Sequence, residues 1–316
     1  MPFYICALAM GAFFLIKGAD HLVNGASRLS SLLALSPIVV GAVIMGFGTS
    51  APEIFVSGLA SWRGEIDIAV GNVIGSNVTN LTLVMGIVAA VHPLEVSPSA
   101  LRWEIPFATF AVLIYALVLF WSVSLLTGLI LLAFLGVLLV YIVRGGRTLE
   151  GATGLEAGVR NLEKNRQLGE VSLEMLRMFF GLVATLMGAW VLIWGALGIS
   201  EEMSLKQGLV GFTLVALGTS LPELATSIVA VRRGQVDLIL GNLFGSNVFN
   251  SFAVGGITAV VSTGPAVDMV FAKTGGVVMA IIGVFVLVLL RSRRKVGRSE
   301  GLLLLSVYLL TLPFFL

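Results

Sequence analysis

GTSAPE, Gly48–Glu53, sets a glutamate directly after a proline inside an otherwise apolar run, and the pattern returns as GTSLPE at Gly218–Glu223, at an offset of 170 residues. An ionisable side chain at the centre of a membrane-spanning helix costs about 2.5–3.5 kcal/mol or more. Two such glutamates, each beside a glycine and a helix-breaking proline, point to a buried polar site. The expectation is that the two motifs meet at mid-membrane and bind a cation.

The composition sets the surroundings. The chain has 316 residues, of which 58% are hydrophobic and only 11% charged, with a mean hydropathy of +1.04. So few charges cannot cover the surface of a water-soluble domain, so this is an integral membrane protein. A single cysteine, Cys6, excludes an intrachain disulfide. The N-terminal run has no basic residue ahead of it, and reads as a first transmembrane helix and not as a signal peptide.

Apolar runs long enough to span a bilayer lie near 3–27, 36–61, 66–91, 102–121 and 123–143, then near 172–198, 206–231, 236–262, 267–290 and 300–316. A polar stretch, 144–171, separates the two sets of five. Aligned without gaps, 41–86 and 211–256 agree at 20 of 46 positions, and the agreement falls on polar and small residues. The register reaches back to the first run of each half, where Gly11, Gly18, Ala19 and Gly25 match Gly181, Gly188, Ala189 and Gly195. The chain is therefore read as an all-α membrane protein of ten transmembrane helices, a duplicated five-helix unit filling 1–143 and 172–316.

Because five is odd, the second copy enters the membrane inverted. Basic residues test this. With the connections numbered alternately, one side receives Arg28, Arg102, the central stretch, Arg232, Arg233 and the cluster Arg291–Arg298, fifteen in all. The other side receives only Arg63, Lys206 and Lys273. This predicts a multi-pass cell-membrane protein with both termini outside and the central loop in the cytoplasm.

Pro52 has no N–H for the carbonyl of Gly48, and Pro222 none for that of Gly218, so carbonyls over Gly46–Thr49 and Ala216–Thr219 are expected to lose helical partners. At membrane depth freed carbonyls need protein, a cavity or an ion. Thr49, Glu53 and Ser57 form a polar stripe at spacing four, repeated by Thr219, Glu223 and Ser227. The following helices carry GNVIGSNVTN and GNLFGSNVFN, which align Asn72, Ser76 and Asn80, and Asn242, Ser246 and Asn250, with Asn77 and Asn247 alongside. Glycines there let helices approach closely. Carboxylate, amide, hydroxyl and carbonyl oxygens without histidine or thiolate suit calcium or sodium, not zinc or copper.

Plainer readings stand beside these. Ser50-x-x-Glu53 and Ser220-x-x-Glu223 fit a helix capping box, and the GSN segments fit small-residue helix packing. Asp67 and Asp237 fit either a helix-start cap or an ion-entry role. Asp20 reads as a partner of Lys17, His21 and His92 as interfacial, and the cluster at 291–298 as a topology signal.

The paired GTSxPE and GNxxGSNxxN segments resemble the alpha-1 (41–86) and alpha-2 (211–256) repeats of the sodium/calcium exchanger branch of the calcium/cation antiporter superfamily, in its compact prokaryotic form. The resemblance implies an inverted-repeat antiporter whose four central helices hold the ions while the first and sixth slide. It further implies that Glu53 and Glu223 are shared calcium and sodium ligands, assisted by carbonyls of Thr49 and Thr219. Ser76 and Ser246, with carbonyls of Gly46 and Ala216, would serve flanking sodium sites, and Asn80 and Asn250 would line the centre. Some relatives carry aspartate at the position of Asn250. The expected function is calcium–sodium antiport, with calcium–proton antiport or a passive cation channel as alternatives. An enzyme is not expected, since no nucleophile or cofactor motif accompanies the carboxylates. The expected partners are the two ions and the lipid bilayer, with no cofactor, nucleic acid or obligate protein partner.

Overall fold

In lipid every backbone polar group must be satisfied within the segment, so apolar runs of this length become helix. The computed structural model describes residues 2–145, 160–202, 218–262 and 267–314. The helices are α1 (Pro2–Leu32), α2 (Pro37–Thr49), α3 (Ala51–Trp62), α4 (Ile66–Val91), α5 (Pro98–Trp121) and α6 (Leu125–Gly145) in the first half. The second half holds α7 (Arg160–Glu202), α8 (Leu221–Arg232), α9 (Val236–Val261), α10 (Met269–Arg293) and α11 (Arg298–Thr311).

Among the described residues, six helices are individually long and apolar enough to cross a membrane, and α2 with α3 makes a seventh span bent by 41°. Helix α11 has only 14 residues, about 21 Å at 1.5 Å per residue. The run expected at 206–231 is described only from Gly218, and 146–159, half of the stretch 144–171, lies outside the described residues. Helix α7 starts at Arg160, inside the stretch read as loop. Its Leu, Glu, Lys, Arg and Gln residues there favour helix even though they are polar. Among the described residues, strand pairing is confined to a two-residue antiparallel pair, Leu94–Glu95 (β1) with Lys295–Val296 (β2).

The two halves repeat in backbone detail. Ser50 and Ser220, at the proline breaks, have φ/ψ of −82°/4° and −89°/3°. Glu65 and Gln235, before α4 and α9, have −91°/57° and −91°/58°. Gly64 and Gly234 both sit at positive φ, 82° and 69°, where a side chain is strained. Helices α4 and α9 each contain a π-helical turn at the same place, Asn80–Val84 and Phe249–Val254.

Burial sorts the helices into centre and periphery. The apolar windows of α4 and α9 are 78% and 83% buried, whereas those of α1 and α7 are 28% buried. The periphery presents Phe13, Phe55, Trp62, Phe180 and Trp190 outward, the surface a bilayer solvates. Helices α1 and α7 run antiparallel, glycine against backbone. A Cβ on Gly18 would lie 2.4 Å from Thr185 N, and one on Gly188 2.3 Å from Leu15 N. Helix α2 meets α9 the same way, with a Cβ on Gly241 falling 2.2 Å from Ile38 O. These helices touch at backbone distance because no side chain intervenes.

Candidate ion-binding site

The proline breaks place Glu53 at the start of α3 and Glu223 at the start of α8, and both side chains are fully buried. Ser76 of α4 donates to Glu53 Oε1 at 3.4 Å, and its counterpart Ser246 of α9 donates to Glu223 Oε1 at 3.3 Å. The halves then interlock. Thr49 Oγ1 lies 3.2 Å from Asn242 Oδ1 and 3.3 Å from Ser246 Oγ, while Thr219 Oγ1 reaches Asn72 Oδ1 at 3.5 Å. A chain of contacts thus runs from the first GTS motif through Ser246 to the opposite glutamate.

The second carboxylate oxygens, Glu53 Oε2 and Glu223 Oε2, have no hydrogen-bond partner, nor have the amide N and O of Asn80, Asn247 and Asn250. Asn80 and Asn250, the expected central residues, are fully buried at the π-helical turns. Wide helical turns of this kind recur at functional sites, and buried polar atoms left unpaired in the protein call for water or an ion. The buried side chains among the described residues include no Lys, Arg or His. The third buried acid, Glu174, is elsewhere, paired with Arg28 and Arg177. Two buried carboxylates therefore stand with no buried protein cation among the described residues, an arrangement that a bound cation or protons must neutralise. Among the described residues no three His, Cys, Asp or Glu side chains cluster, so the remaining ligands would be neutral oxygens. That donor chemistry suits sodium and calcium.

Several expectations change. The Gly46 carbonyl keeps a helical partner, Ser50 N at 3.2 Å. Pro52 removes only the bond to residue 48. The same carbonyl also accepts from Ser246 Oγ at 3.4 Å, which ties α2 to α9. Ala216 lies outside the described residues. Neither capping box forms, since Ser50 and Ser220 make no side-chain cap and their hydroxyls are unpartnered. Asp67 does not cap its own helix; it accepts from Asp268 N, at 2.7 Å, ahead of α10. Asp237 faces the equivalent position across a shared cleft, but there stands Pro98, which has no N–H. Asp20 forms its ion pair with Arg233 of the second half, since the α8–α9 turn brings that cation to it.

Two contacts were missed. Asn72 Nδ2 donates to Ser57 Oγ at 2.9 Å, yet Asn242 Nδ2 turns to Thr226 Oγ1 at 3.2 Å, because position 56 in the first copy is valine. Asn77 Nδ2 donates across the halves to Ser251 Oγ at 3.3 Å, whereas the residue equivalent to Ser251 is Leu81, and Asn247 is left unpartnered. Comparing the two copies position by position would have flagged both.

Comparison with known proteins agrees with this architecture. Residues 3–144 and 174–316 match the family described as sodium/calcium exchanger protein. The putative antiporter CaxA of Alkalimonas amylolytica is 33% identical over 304 residues, 95% of this chain and 94% of its own length. The sodium/calcium exchanger MaX1 of Methanosarcina acetivorans is 27% identical, with 95% of each chain covered. Among solved structures, the sodium-calcium exchanger NCX_Mj soaked with 10 mM Na+ superimposes with a TM-score of 0.85 at 29% identity, covering 98% of both chains.

Proposed function

We propose that this chain, which belongs to the sodium/calcium exchanger protein family, exchanges calcium for sodium at the Glu53–Glu223 site by alternating access. Cation antiport across a membrane follows from the family. The choice of ions is carried by one observation, two fully buried carboxylates with no buried cation among the described residues, set among hydroxyl and amide oxygens. NCX_Mj, its structural neighbour, has been studied soaked with sodium, calcium and strontium.

In this reading Glu53 and Glu223 neutralise either one calcium or monovalent ions. Ser76, Ser246, Thr49, Thr219, Asn80 and Asn250, with the Gly46 and Ala216 carbonyls, complete the oxygen shell. Emptying the site exposes two carboxylates to each other in low dielectric, so the unloaded protein is slow to change its open side, and coupling follows. In the same reading the chain has ten helices in an inverted arrangement, with both termini on the outside by the bias of basic residues. Its sidedness is supported by contacts between connections: Glu95 with Lys295, Arg28 with Glu174, and Asp67 with Asp268 each join segments that the basic-residue count puts on one side.

The test is calcium uptake by proteoliposomes under an imposed sodium gradient, with a protonophore present. Sodium-driven accumulation is expected. Uptake driven only by a proton gradient, imposed in a parallel assay without protonophore, would replace sodium with protons, and gradient-independent leak would make the protein a channel.

A further inference from the structure

Arg233 stands in the turn between α8 and α9, beside Gly234 at positive φ, and its guanidinium crosses to α1. There it ion-pairs with Asp20 at 2.5 Å and donates to Asn24. Helix α1 is bound to α7 along the glycine rows but has little of its surface buried, and so has α7. The two form a smooth, peripheral pair resting on the buried site helices. Charged links tie that pair within itself, through Arg28 and Glu174, and to the core, through Asp20 and Arg233. The repeat makes the second link asymmetric. At the same offset, Asp20, Asn24 and Arg233 correspond to Trp190, Trp194 and Arg63, so the second copy keeps the cation but has tryptophan where the first has the acid.

We propose that Asp20 and Arg233 are a positioning pair: a one-sided latch that holds the α1–α7 pair against the core on the basic-rich, cytoplasmic side and favours the state closed to the cytoplasm. The proposal rests on the alternating-access reading above. Neither residue touches the ion site; both act through the placement of α1. The pair is a little over one-third exposed at each end, so its effect is modest.

The test uses the full-length protein in proteoliposomes, with calcium concentration varied on each face in turn. Asp20→Asn and Arg233→Gln are each expected to lower the apparent KM for calcium on the cytoplasmic face about 1.5- to 5-fold, the range of an exposed ion pair. The external KM should rise or hold, since apparent affinity scales with the population of the competent state. The exchange Asp20→Arg with Arg233→Asp should restore both values. Shifts of the same sign on both faces, no shift, or no rescue would overturn the latch. Hydrogen exchange of residues 18–26 and 232–236 reads the same contact without flux: faster exchange in the single variants is expected, and unchanged exchange refutes it. Wild-type protein that moves no calcium would defeat the transport reading, and the exchange data would still decide the latch.

Discussion

Replacing Glu53 by glutamine keeps the shape of the side chain and removes one of the two charges that the proposed ion site relies on. Glu53 is fully buried, its Oε1 accepts from Ser76 at 3.4 Å, and among the described residues no Lys, Arg or His side chain is buried. Removing one member of a buried charge contact costs about 3–5 kcal/mol, which at 1.4 kcal/mol per tenfold is a loss of roughly one hundred- to several thousandfold in calcium affinity. The same change relieves repulsion in the ion-free protein, because Glu223 then faces a neutral amide. Two results should therefore appear together in detergent. Calcium should raise the unfolding temperature of the wild type and leave Glu53→Gln unmoved, since stabilisation follows RT ln(1 + [L]/Kd). In chelator without sodium, the variant should melt above the wild type. Reconstituted Glu53→Gln should carry no calcium. A variant that calcium stabilises as strongly as the wild type, or that still transports, would refute the reasoning.

Pro52→Ala should restore the amide bond to the Gly48 carbonyl and reduce the 41° bend; transport should slow while insertion persists, read by flux against yield of monodisperse protein. Gly241→Val would drive a Cβ to 2.2 Å from the Ile38 carbonyl, and folded protein should be lost, measured by size-exclusion recovery. Ser251→Ala leaves Asn77 Nδ2 with only the Val73 carbonyl at 3.0 Å; thermal unfolding should show a loss of about 1 kcal/mol, with calcium affinity retained. Asn250→Asp adds a third acid to the site; calcium flux should become more pH-dependent, falling as pH drops and the new carboxyl takes up a proton.

The doubling of the chain was legible because its identities fall on residues with strict demands: Gly64 and Gly234 hold positive φ, and Pro52 and Pro222 break matching helices. The glutamates were legible for the same reason, as charges that lipid does not tolerate without purpose. What stayed hidden were departures from the repeat and contacts between distant segments. The Asn77–Ser251 bond and the Asp20–Arg233 pair join residues 174 and 213 positions apart, and no local spacing announces either. The Gly46 carbonyl was misread because a proline's loss was spread over a whole turn, when it removes one bond. The polar start of α7 looked like loop because hydropathy reports lipid contact, and Arg160–Gly169 is helix without it.

The most direct test is diffraction from crystals grown with calcium, recorded for anomalous scattering. A single strong peak is expected between the carboxylates of Glu53 and Glu223, about 2.3–2.6 Å from an oxygen of each. A calcium peak bound by one glutamate alone, or density elsewhere with the two carboxylates bridged only by water, would contradict a shared site.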